Sequence, residues 1–337
     1  MIIQKTAWCG IDISKNTFDA AYYPGSRDLE FQAIPANSFP RTPSGLRSFY
    51  QWLDLQRCEQ DDQIRIIMEA TGNYSLQTTS WILKDHPEFQ PAIINPRHAS
   101  AYHKSLGLPH KTDQIDCRAL AMMGRERKPP AYQPLSSVRA QLRELTRQRV
   151  SFVEERTAWK NRFIDKQGAN FISKLQDKHL KHLDKTIALI EKEIRRLIET
   201  DSQIREDMAL LESIPGVGFI TAITVLAEFG DLSLFRRSRN ITSMAGLLPR
   251  SHDSGKSVRK RPRMSKQGNN QVRAVLYMAA IVAAYRNPHL AEVYKRLRER
   301  GKSSKSALGA VMRKLLVLMR ALVISRQAYD PLWKATV

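Results

Sequence analysis

The chain has 337 residues, with 54 Lys+Arg against 33 Asp+Glu and a formal net charge of +21. At about 100–200 residues per domain this is enough for two or three packed units, and a hydrophobic content of 42% excludes wholesale disorder. The longest nearly uninterrupted apolar run, residues 274–285, is short of the roughly 17–25 residues that span a bilayer, which argues against a membrane protein.

Met1-Ile2-Ile3-Gln4-Lys5 leads straight into a strand-like pattern, without the charged region, apolar stretch and cleavage site of a secretory signal. Runs at 7–14, 17–23 and 29–34 read as three short strands, and Thr42-Pro43 opens an amphipathic helix over about 44–55. A buried strand at 64–70, a helix at 76–84, a strand at 91–95 and helical segments over 96–127 follow. Three meander strands and then helix, strand, helix, strand, helix is the order of the α/β ribonuclease H-like (RuvC-like) fold, in which crossover helices cover a mixed sheet. Lys128-Pro129-Pro130 closes this first domain, residues 1–130.

From Val138 the chain turns helical. Val138, Leu142, Leu145, Phe152, Trp159 and Phe163 form a seam that also contains Arg149 and Arg156, and Gly168-Ala169-Asn170 interrupts it. Leu180, Leu183, Ile187, Ile190, Ile194 and Leu197 then keep a three-four spacing over about three heptads. Residues 131–205 are thus expected to form a coiled-coil spacer or oligomerisation arm, folded back as a hairpin or paired with another subunit. The third region, 206–337, is mainly α. It opens with a helix, the turn Pro215-Gly216-Val217-Gly218 and a second helix, which is the helix-hairpin-helix pattern. Gly216 and Gly218 would let the backbone approach a phosphate, although an ordinary tight αα-turn reads the same way. A Gly- and Ser-rich basic loop is expected over 249–270, followed by helices near 272–285, 290–300 and 305–325.

Cys9, Cys58 and Cys117 are odd in number and widely spaced, and the eight histidines show no paired-ligand spacing; neither a disulfide framework nor a zinc site is expected. A cytoplasmic, nucleoid-associated bacterial protein is the simplest reading. The charge is unevenly placed: residues 236–337 hold 23 Lys+Arg and 4 Asp+Glu, a net of +19, against +2 for residues 1–235. A block of that kind, interleaved with apolar helical runs, suits a nucleic acid better than an acidic membrane surface.

Four carboxylates stand out. Asp12 lies in the first strand and Glu69 ends Ile66-Ile67-Met68-Glu69, each joined to an apolar run in which an unpaired charge is costly to bury. Asp113 and Asp116 are three apart, so near a helix N-terminus they share one face. In a ribonuclease H-like sheet the first and fourth strands are neighbours, and four converging carboxylates would repel unless they held hard divalent cations such as magnesium (Mg2+). Singly, Asp113 reads as a helix cap, and Asp12 fits the opening strand of an actin-like ATPase.

The basic loop contains His252-Asp253-Ser254-Gly255-Lys256-Ser257-Val258-Arg259. Gly-Lys-Ser invites a phosphate-loop reading, but that motif needs glycine where this chain has Arg250. A serine beside a glycine and several cations can instead be a nucleophile toward phosphate, and Ser254, Ser251, Ser257 and Ser265 all qualify on spacing alone.

Gly10-Ile11-Asp12, Glu69-Ala70-Thr71-Gly72, Asn95-Pro96, Lys111-Thr112-Asp113-x-x-Asp116-Cys117-Arg118, Ile214-Pro215-Gly216-Val217-Gly218, Ala245-Gly246-Leu247-Leu248-Pro249-Arg250, Ser254-Gly255 and Met264-Ser265-Lys266 occur together in this order. In this the chain resembles transposases of the insertion sequence 110 family, the DEDD transposases related to the Piv invertases, over about residues 7–325. The resemblance implies an RNA-guided DNA recombinase in which a bridge RNA pairs with donor and target DNA. It maps a Mg2+-binding tetrad onto Asp12, Glu69, Asp113 and Asp116, and the nucleophile onto Ser254. It further implies a homo-oligomer, dimer or tetramer, with the serine domain of one subunit meeting the RuvC-like domain of another. Arg250, Lys256, Arg259, Lys260, Arg261, Arg263 and Lys266 are then expected to steady phosphates. Two alternatives use the same residues: a metal-dependent nuclease or junction resolvase with water as nucleophile, and a non-enzymatic architectural nucleic-acid-binding protein.

Overall fold

The computed structural model describes residues 6–57, 63–107, 112–162, 170–254 and 258–332, with the backbone alone at 170, 250–254 and 258–263. The chain divides after Pro134 into two compact units.

In the first unit β1 (Thr6–Ile13), β2 (Thr17–Tyr23), β3 (Ala36–Pro40), β4 (Gln63–Glu69) and β5 (Ala92–Ile94) form one sheet in the order β3-β2-β1-β4-β5. β2 runs antiparallel to β1 and β3, whereas β4 is parallel to both β1 and β5. The parallel links are made by α1 (Pro43–Gln56) and α2 (Gly72–Asp85); α3 (Pro96–Ser105) and α4 (Asp113–Arg127) follow the last strand. Strand side chains alternate between faces. Cys9, Ile11 and Ile13 of β1 therefore join Ile66 and Met68 of β4 and Phe49 and Leu53 of α1 in one core, while Trp8 and Ile67 pack onto Leu120 and Met123 of α4.

One strand is not where the sequence reading puts it. The run at 29–34 forms a 3-10 turn, Phe31–Ala33, and its apolar residues pack beneath α4: Ile34 is buried with Ala21, Tyr23, Cys117 and Ala121. The third strand comes after Pro35. It is an edge strand with polar Asn37 and Ser38 and one buried side chain, Phe39, and such edges carry little hydrophobic signal.

The second unit begins with two long helices, α5 (Ser137–Arg162) and α6 (Asn170–Glu199). They pack on one another within the chain: Arg149 and Arg156, the charged residues of the seam, lie 2.6 Å from Glu191 and 2.8 Å from Asp184. Phe163, at the end of the expected seam, lies outside the described residues. α7 (Ser202–Glu212), α8 (Phe219–Phe229), α9 (Ser238–Met244), α10 (Asn270–Arg286), α11 (Pro288–Glu299) and α12 (Ser304–Ser325) complete a core that Leu142 of α5 and Ile194 and Leu197 of α6 share with Leu211, Ile223, Leu276 and Leu315. Residues 249–254 and 258–264, expected as part of a loop, instead form two antiparallel strands, β6 (Pro249–Ser254) and β7 (Val258–Met264). Among the described residues no helix is long and apolar enough to cross a membrane. Cys9 and Cys117 are buried free thiols.

Candidate active site

Asp12 and Glu69 lie at the C-terminal ends of adjacent parallel strands, where Ile11 pairs with Met68. Both follow the parity of Trp8 and Ile67, so both stand on the α4 side of the sheet. α4 reaches them because β1 has no side chain at Gly10. A Cβ there would sit 2.1 Å from the Cys117 carbonyl oxygen and 2.3 Å from the Ala121 nitrogen. Thr112, not Asp113, caps the helix by accepting from the Ile115 N–H, which leaves Asp113 and Asp116 in the first turn. The helix dipole favours carboxylates there.

Asp12 senses the other three acids. Burial first, and then the charges of Asp116, Asp113 and Glu69, push the Asp12 carboxyl up to about 6, against a weaker opposing bond from the Ile13 backbone. A fifth carboxylate, which the sequence reading did not single out, joins them. Asp19 pairs with Asp12 across β1 and β2, and burial together with the charge of Asp113 raises it. A carboxylate opposite an acid that ends an apolar strand is the signal that would have found it.

Among the described residues no three His, Cys, Asp or Glu groups stand in ligating arrangement as they are placed here. The donor set nonetheless fits a hard divalent cation. Its oxygens are of the right type, and such an ion would offset both the burial and the neighbouring charges that disfavour ionised Asp12. A cavity of about 680 Å³ opens beside Glu69 and Asp116, lined also by Arg97, His103 and Lys104 of α3, with Leu120 and Met123 of α4 below. His103 Nε2 lies 3.4 Å from Asp116 Oδ1. Carboxylates and cations thus share one concave wall, an arrangement that suits a phosphate held against a metal site.

In the second unit Ser254 is the last residue of β6, paired with Val258 across the hairpin, and Asp253 pairs with Arg259. The side chains of Arg250, Ser254, Arg259, Lys260, Arg261 and Arg263 lie outside the described residues, as does Lys256 altogether. Lys266 is exposed just beyond the hairpin. The hairpin's base is well fixed. Asn269 caps α10 through the Val272 N–H and donates to Glu228 Oε2 at 2.7 Å. Glu228, buried at 5% exposure, receives both arms of Arg147 at 2.6 and 2.9 Å. Burial alone would raise its pKa, but Arg147 and Asn269 outweigh that and hold it below the usual value.

The Gly216 turn joins α7 to α8 as expected, with a packing reason of its own: at φ +102° its Cβ position is taken by the Ala283 backbone of α10, 2.7 Å away. Gly218, which caps α8 without a side chain, has open space instead.

Two family models match the chain: one described as "Transposase", for the DEDD transposases of IS110 type, over residues 9–166, and one described as "Transposase IS116/IS110/IS902 family" over 208–295. The pilin gene-inverting protein of Moraxella bovis is 30% identical over 324 residues, 96% of this chain and 97% of that protein, and its counterpart from Moraxella lacunata matches over the same extent. The transposase for insertion sequence element IS1111A of Coxiella burnetii is 39% identical over 98 residues, 29% of this chain and 25% of that protein. The chain is a DNA transposase or recombinase. It belongs to the IS110/IS116/IS902 transposase family, to which the resemblance read from its motifs also pointed.

Proposed function

We propose that this chain cleaves and rejoins donor and target DNA under the direction of a guide RNA, using a RuvC-like acidic site and a covalent bond between Ser254 and a DNA phosphate. The observation that carries the reading is that Asp12 senses Asp116, Asp113 and Glu69 together: burial first, and then those three charges, raise its carboxyl to about 6. The strand order β3-β2-β1-β4-β5, with β1 parallel to β4, supports the ribonuclease H-like assignment. Guide-RNA direction rests on the motif resemblance.

Asp12, Glu69, Asp113 and Asp116 would hold Mg2+, which when bound supplies Lewis-acid polarisation of a phosphoryl oxygen. The chain's own groups do the rest. Ser254 Oγ forms a bond to phosphorus as the bond to the 3′ oxygen breaks, and the 3′ hydroxyl leaves with the proton that the serine gives up. The phosphodiester energy is kept in the serine ester, so rejoining needs no nucleotide cofactor. Arg250, Lys256, Arg259, Lys260, Arg261, Arg263 and Lys266 neutralise phosphate charge, and Gly218 leaves the first amides of α8 open to a backbone. A dimer or tetramer would let the acidic site of one subunit meet the serine of another.

Ser254→Ala is expected to abolish the protein-linked DNA product on a denaturing gel while leaving RNA binding intact. Cleavage that persists in this variant, without a protein-linked product, would assign the chain to hydrolysis by water.

A further inference from the structure

α10 is apolar on both sides. Val272, Leu276, Ala279, Ala280 and Ala283 are buried in the core of the second unit. On the opposite side Tyr277 is 36% exposed, Met278 63%, Val282 42% and Tyr285 75%. Met278, Val282 and Tyr285, spaced four and three apart, make a single stripe along the helix, with Tyr277 at its side. Residues 274–285 contain no charge at all. A helix apolar all round is normally enclosed, and an exposed apolar stripe marks a binding surface.

What the stripe binds follows from its neighbours. The Tyr285 ring lies 6.1 Å from that of Tyr294 on α11, tilted by 54°, and the Tyr294 hydroxyl is 3.0 Å from Ser304 Oγ. One tyrosine is therefore held from behind while the other offers its face to solvent. Arg286 follows Tyr285, Lys295 follows Tyr294, and Arg298 lies one turn further along α11; all three are exposed. Aromatic rings framed by cations are the elements of a single-strand site, because every base has a face to stack and every phosphate a charge to neutralise.

We propose that this face of α10 and α11 is a stacking platform for an unpaired stretch of DNA. Strand exchange separates base pairs, and an exposed base has to be held somewhere while its strand is unpaired. A second copy of the chain is a poorer occupant. Residues 236–337 carry a net charge of +19, so two such surfaces repel where a DNA strand is attracted. The proposal requires only that the chain handle DNA, and is independent of the acidic tetrad and of Ser254.

The test measures binding of the full chain to three labelled 15-nucleotide strands by fluorescence anisotropy: oligothymidylate, an abasic DNA strand with the same phosphates, and oligouridylate. The wild type is expected to prefer thymidylate to the abasic strand by about ten-fold or more, the scale of stacking on one or two aromatic rings. Tyr285→Ala combined with Met278→Ala should remove most of that preference while leaving abasic affinity unchanged, and Tyr285→Phe should keep it. Because both residues are more than 60% exposed, truncation spares the core, and a thermal melt checks this. Equal wild-type affinity for the two DNA strands would overturn the platform. So would a preference that survives the double variant, or a loss seen on uridylate and not on thymidylate, which would make the occupant RNA. Sedimentation adds one more outcome: a dimer that the double variant dissolves, with the base preference intact, would give the face to a second copy.

Discussion

Asp12 is half-buried among other carboxylates, and its ionisation is therefore linked to the stability of the fold. Its folded pKa of about 6 lies above the ordinary 3.8. Below about pH 4 it is protonated both folded and unfolded, and the cost is absent. As pH rises through about 6 the unfolded chain gives up this proton first, so stability falls and the full cost remains at higher pH. Asp12→Asn removes the charge without changing the size of the side chain. At pH 8, without divalent cation, the variant should melt above the wild type, and on the role proposed for Asp12 it should no longer cleave DNA. Added Mg2+ should raise the wild-type melting temperature and narrow the gap, because a cation offsets the same repulsion. Thermal melts at pH 8 with and without Mg2+ measure this; a wild type as stable as the variant in the absence of metal would show that the acids do not converge.

The unit that makes the site is a helix laid directly on a strand. α4 approaches β1 closely enough that a side chain at residue 10 meets backbone of the helix, not a movable side-chain end. Gly10→Val should therefore cost about 1–3 kcal/mol or more and push Asp113 and Asp116 away from Asp12. Leu46→Ala, in the core on the opposite face of the sheet, is the matched control. It costs about 2–5 kcal/mol but leaves α4 in place, so it should still cleave DNA below its melting temperature. Assayed at one temperature where both remain folded, only Gly10→Val should lose activity. The same contrast explains what could be read from the sequence. The pairing of the first strand with the fourth was legible because β1 and β4 are apolar runs, and Asp12 and Glu69 stood out because each is a charge joined to one. Asp19 did not, since it lies in a short strand beside Thr17 and becomes notable only when β2 pairs it with Asp12. The edge strand β3 was hidden by its polarity, and the β6–β7 hairpin by cations and prolines. Yet Arg259, Arg261 and Arg263 recur at every second position of β7, the period of a strand. The role of Gly10 is a tertiary fact, as is the replacement of a capping Asp113 by Thr112.

Across the whole molecule the charge is divided. Residues 1–235, which include the acidic tetrad, are nearly neutral at +2, and residues 236–337, which include Ser254 and the hairpin, carry +19. Affinity for DNA and its dependence on salt should therefore be set almost entirely by the last third. Each phosphate neutralised by a lysine or arginine adds about 0.9 to the slope of log affinity against log salt concentration on duplex DNA. Arg261→Ala together with Arg263→Ala should thus lower the slope by about two if both cations meet phosphates, and weaken binding to all DNA sequences alike. Asp12→Asn in the same titration, run without divalent cation, should leave the slope within error of the wild type, because it removes an acid outside the basic block. Filter binding from 50 to 400 mM salt distinguishes the two variants. A slope altered by the tetrad variant and not by the hairpin variant would place the principal DNA contact on the first unit and reverse this division.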